Sequence, residues 1–87
     1  MTKIYIYCLF DRYDKFLGVY SSLKSVHRDA VRYCNRGHAR VFMMADKERR
    51  PASLVNLRNI FKGKCDYEIS YGSDSGRVKI FKTKLTE

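Results

Sequence analysis

The residues in this chain with the most reactive side chains are three cysteines, Cys8, Cys34 and Cys65, and two histidines, His27 and His38. A thiol beside an imidazole can act as a nucleophile. His27 precedes Cys34 by seven residues, about two turns of a helix, which is too far for direct contact along one helix. Metal binding by these five residues lacks a paired C-x-x-C or H-x3-H spacing, so a zinc site would have to be assembled from distant segments. The string GSDSG at 72–76 has Asp74 where a nucleophile elbow needs serine. It reads as a hairpin loop. These residues predict no catalytic set, no metal and no cofactor, and the chain reads as a non-enzymatic binding protein.

Charge offers more. Eighteen Lys and Arg against nine Asp and Glu give a net charge of +9 over 87 residues. A field of that sign favours nucleic acid, acidic protein surfaces or anionic membranes as partners. On a helical wheel Lys24, Arg28, Arg32 and Arg36 recur every four residues, opposite Leu23, Val26, Ala30, Tyr33 and Cys34. Like charges at that spacing cost an isolated helix about 0.2–0.5 kcal/mol per pair, and only Asp29 is near enough to offset them. The stripe is therefore a candidate phosphate-binding face, set against the ordinary reading of a solvated helix surface. A second cluster, Arg49 and Arg50 before Pro51, could form an anion site at a helix N-terminus, unless Asp46 and Glu48 neutralise it. A third, Lys62, Lys64, Arg77, Lys79, Lys82 and Lys84, reads as protection of an exposed sheet edge.

The elements that would position these groups follow from periodicity. KIYIYCLF places apolar residues on both alternating faces, which predicts a central strand buried on both sides. Asp11 to Lys15 turns the chain into a second strand, KFLGVY. Ser21 or Ser22 caps a helix running to about Arg36 and stopping at Gly37. HARVFMM is a third strand and ADKERR a charged loop. Pro51 suits a first helical turn, and Leu54, Leu57, Ile60 and Phe61 form the apolar face of a second helix ending at Gly63. A final hairpin pairs Cys65–Tyr71 with RVKIFKTKL, and the break in alternation at Phe81 and Lys82 predicts a bulge. The expectation is one α+β domain over 1–87 in the order ββαβαββ, a mainly antiparallel five-stranded sheet with two packed helices. Tyr5 and Tyr7 could stack bases if exposed, but a central strand would place them in the core.

The segment KFLGVYSSLKSVHRDA resembles a strand, double serine and helix turn found in many short bacteriophage-encoded proteins. That resemblance implies an accessory or host-takeover protein that binds a host factor or nucleic acid stoichiometrically, and it assigns no functional residue. The odd cysteine count, the lack of a signal-peptide pattern at the N-terminus and the lack of any run near 20 apolar residues predict reduced thiols and a cytoplasmic protein. The leading expectation is binding to nucleic-acid backbone through Lys24, Arg28, Arg32 and Arg36 by a monomer or small homo-oligomer. The alternative is an inhibitor that docks its basic face on an acidic host protein.

Overall fold

The computed structural model describes residues 4–35, 40–74 and 76–85. Eight elements follow in chain order: β1 (Ile4–Asp11), β2 (Phe16–Tyr20), α1 (Leu23–Cys34), β3 (Phe42–Ala45), β4 (Glu48–Pro51), α2 (Leu54–Phe61), β5 (Tyr67–Gly72) and β6 (Arg77–Leu85). All strands pair antiparallel, in the spatial order β2-β1-β6-β5-β3-β4. The fold is α+β as expected, with a sixth strand where the charged loop ADKERR was expected.

That strand is invisible to hydropathy because all four of its residues are exposed. Asp46 and Lys47 both adopt positive φ, 51° and 68°, and close a tight hairpin in which Met43 pairs with Arg50 and Met44 with Arg49. Two successive residues with positive φ match the twist of the flanking strands, the geometry that two-residue hairpins favour. Pro51 therefore ends an edge strand, where its missing N–H costs no ladder bond, and does not open α2. The α2 cap is Ser53, whose hydroxyl accepts from the Asn56 N–H at 3.1 Å. Ser22 caps α1 in the same way, accepting from the Ser25 N–H at 3.2 Å. The end of α1 falls at Cys34, with the Asn35 N–H bonded to the Val31 carbonyl at 2.7 Å. Arg36, Gly37 and His38 lie outside the described residues.

Both helices lie on one face of the sheet. The core joins Val26, Ala30 and Cys34 of α1 and Leu57 and Phe61 of α2 to Tyr7, Leu9, Met43, Ile69, Tyr71, Val78 and Ile80. Those strand residues share one face through cross-strand pairs such as Leu9 with Ile80, Ile80 with Ile69, and Tyr71 with Met43. β1 is interior to the sheet, but only its Tyr7 and Leu9 side is buried. Ile6, Cys8 and Phe10 are half-buried and Ile4 is exposed, because no described element covers the second face. Tyr7 sits in the core, whereas Tyr5, on the same side but near the end of β1, is exposed and carries the Lys82 ammonium 4.5 Å from its ring centre.

Two expectations about β6 are overturned. β6 lies between β1 and β5, so its cations do not guard an edge; the edges are β2 and β4. Its register with both neighbours is unbroken through Phe81 and Lys82, and the irregularity falls instead between β1 and β2, where Leu9 and Phe10 pair with Gly18 and Phe16 and Leu17 is left over. Lys82 takes the core-side position after Val78 and Ile80. Its stem is buried while Nζ donates to the Phe61 carbonyl at 2.8 Å, satisfying the last turn of α2. The alternation only looked broken because a lysine fills an apolar slot.

Candidate nucleic-acid interface

The open face of the sheet is divided by what its strands present. On β5 the open-face residues are Glu68, Ser70 and Gly72; the last two are small, and their neighbours stand on either side: Arg77 and Lys79 on β6, Phe42 and Met44 on β3. Small residues on one strand between larger ones on its neighbours make a trough along β5, about 9.6 Å across from β6 to β3 at the usual strand spacing. The cleft there measures about 480 Å³ and is lined by Arg40, Phe42, Met44, Arg49, Ser70, Gly72 and Arg77 among others, with Asp74 as its one carboxylate. A second hollow shares Ser70, Asp74 and Arg77 and continues past Lys79 to Arg12 and Tyr13.

Arg49 reaches the trough from β4, its guanidinium 3.9 Å from the centre of the Phe42 ring. Stacking on an aromatic face holds the guanidinium plane and leaves its N–H groups free to meet an anion. Arg40, Arg49 and Arg77 are all exposed and make no ion pair among the described residues. Lys79 is partly neutralised by Asp14. At the hairpin closing the trough, the Ser73 hydroxyl donates to the Cys34 carbonyl, tying the loop to the end of α1. Gly76 permits that approach, since a Cβ there would lie 3.1 Å from the Tyr33 carbonyl oxygen.

The groups singled out from sequence are distributed differently. Lys24, Arg28 and Arg32 are exposed along α1, on the opposite side of the molecule from the trough. Arg28 is held 3.4 Å from Asp29, a carboxylate kept below its usual range first by the Tyr20 hydroxyl donating at 2.7 Å. Burial and that same bond push the Tyr20 hydroxyl up to about 12. Arg36 lies outside the described residues. Arg49 and Arg50 do not form one site, because strand alternation sends them to opposite faces. Arg50 pairs with Glu48 at 2.6 Å on the helix side, and Asp46 is matched by Lys64 at 3.5 Å. Arg40, Phe42, Ser70 and Gly72 escaped the sequence reading. The available signal was Arg40, Phe42 and Met44 alternating with buried neighbours, opposite the small pair Ser70 and Gly72.

Cys8, Cys34 and Cys65 are free and lie on β1, α1 and the approach to β5. Burial pushes the Cys34 thiol up to about 11 and raises that of Cys8. Among the described residues no three His, Cys, Asp or Glu side chains gather as metal ligands, and no helix is long and apolar enough to cross a membrane.

No family model, curated protein or solved structure matches this chain.

His27 Nδ1 lies 2.7 Å from the hydroxyl of the fully buried Tyr71. Burial raises the Tyr71 pKa and keeps it protonated, so it donates to Nδ1 of a neutral His27, whose own pKa burial lowers. With the folded value below the unfolded one of 6.5, the unfolded chain takes up its proton first as pH falls. The contribution is complete above about pH 6.5 and shrinks as the pH drops below that. The urea midpoint should be lower at pH 5 than at pH 7.5, and His27→Gln, which still accepts from Tyr71, should reduce that difference.

Proposed function

We propose that this chain is a small non-enzymatic binding domain that holds nucleic-acid backbone along the β5 trough, without strong sequence preference. The observation that carries the reading is the meeting of Arg40, Arg49 and Arg77 around a floor of Ser70 and Gly72, with Asp74 the one carboxylate in the lining of that cleft. Guanidinium groups bind phosphate oxygens in bidentate fashion, and such contacts position a partner without reading its bases. A trough about two strand spacings wide admits one extended strand, whereas a duplex about 20 Å across would rest on its rim. Phe42 adds an aromatic surface beside the path of the backbone.

The helix stripe belongs to a different side and serves here as a secondary field. Lys24, Arg28 and Arg32 raise the local concentration of polyanion without sharing a contact surface with the trough.

Titration of a labelled single-stranded oligonucleotide at several salt concentrations tests the reading. Three phosphate contacts should give a slope of log K against log salt near −2, at about −0.7 per phosphate for single strands. Affinity should then fall roughly 16-fold between 50 and 200 mM salt. Absence of salt-sensitive binding to both single-stranded DNA and RNA would sink the proposal.

A further inference from the structure

We infer that the strand held in the β5 trough leaves it over β6 and β1 and stacks its bases on Tyr13 and Phe16 of the β1–β2 hairpin. The ligand is then single-stranded nucleic acid with free base faces, an inference that rests on the phosphate reading of the trough. Cross-strand pairing defines one row of the open face that crosses all six strands: Arg49, Met44, Ser70, Lys79, Phe10 and Phe16. The trough meets this row at Ser70, and Phe16 stands about 14 Å away, three strand spacings across the sheet. The hollow that adjoins the trough opens in the same direction, from Ser70 and Arg77 past Lys79 to Arg12 and Tyr13.

The far end of that path offers rings where the trough offers unpaired cations. Lys79 is already paired with Asp14. The Arg12 guanidinium lies 4.8 Å from the centre of the Tyr13 ring, and its Nη2 donates to the Tyr13 hydroxyl at 2.6 Å. Tyr13 is 75% exposed and Phe16 56%. The Phe16 ring packs edge-on to Phe10, at 66° with ring centres 5.7 Å apart, which holds its plane while most of the residue stays open to water. Phosphate gains nothing from such rings. The flat face of an unpaired base does, and every base has one. A duplex keeps those faces inside its own stack.

The neighbouring row explains why the path takes this line. It runs Glu68, Phe81, Cys8 and Val19, about 7 Å along the strands from the first. Glu68 places a carboxylate on β5 there, which repels the phosphates that would have to lead bases toward Val19. Cations and rings thus share a row with Ser70, whereas Phe81, Cys8 and Val19 share theirs with an acid.

Binding of a labelled oligothymidylate and of an abasic strand of the same length, both at about 50 mM salt, tests the inference. The parent should prefer the thymidylate about 30-fold or more, from a gain of roughly fivefold or more for each of two stacked bases. Tyr13→Ala with Phe16→Ala should remove most of that preference by weakening thymidylate binding alone. Affinity for the abasic strand and the salt slope should stay as in the parent, because no phosphate contact is lost. Val19→Ala, on the Glu68 row and also exposed, should change neither affinity. A parent that binds both strands equally, a double variant that keeps the preference or loses both strands together, or a Val19→Ala variant as weak as the double variant overturns the inference. An abasic strand that binds with the expected salt slope in the absence of any preference sinks the stacking and leaves the trough standing. If neither strand shows salt-sensitive binding, the phosphate reading itself falls.

Discussion

Phe61→Ala should lower the stability of the domain by about 3–5 kcal/mol, the range measured for emptying a buried aromatic site. Phe61 is 1% exposed and is the last residue of α2. Its ring lies 5.9 Å from that of Tyr7 and 6.2 Å from that of Tyr67, so the cavity would open between helix and sheet. Only Leu57 and Phe61 of the eight residues in α2 are buried, and the loss removes half of that anchor. For a chain of this length the total is about 4–13 kcal/mol, so the variant should lose from about a quarter of its margin to all of it. A urea melt followed by circular dichroism should show a large drop in midpoint at unchanged slope. Val55→Ala on the same helix, at a site 62% exposed, should change stability by no more than about 0.5 kcal/mol.

The elements that could be read from sequence were those whose two faces differ. Val26, Ala30 and Cys34 repeat at helical spacing, and Ile69 and Tyr71 alternate with Ser70 and Gly72, so α1 and the last hairpin were legible. β4 was not, because Glu48, Arg49, Arg50 and Pro51 are all exposed and carry no periodic signal. Only the positive φ at Asp46 and Lys47 makes them a hairpin. Lys82 misled for the opposite reason: an ammonium that reaches the Phe61 carbonyl lets a charged residue occupy a core position.

The candidate site was harder to read than the fold. Its parts come from β3, from Arg40 two residues before it, and from β4, β5 and β6, and they meet only because β5 runs between β6 and β3. The α1 stripe stood out because a helix keeps its cations within a few residues of each other in sequence. Arg49 and Arg50 show how adjacency misleads on a strand, since neighbours there face opposite ways.

The proposal that phosphates sit in the β5 trough is tested most directly by measuring single-strand affinity at 50 mM salt for two double variants beside the parent. Arg49→Ala with Arg77→Ala removes the guanidinium groups on either side of Ser70 and Gly72. Both residues are exposed, so folding should survive, as an unchanged urea midpoint would confirm. Loss of two charge-assisted contacts at about 1.5 kcal/mol each predicts an affinity at least 100-fold weaker. The salt slope should flatten by about 1.4. Arg28→Ala with Arg32→Ala removes equal charge from α1, and should weaken binding only a few-fold while leaving the slope nearly intact. The opposite ranking, with the helix variant crippled and the trough variant binding like the parent, would contradict the account and return the site to α1.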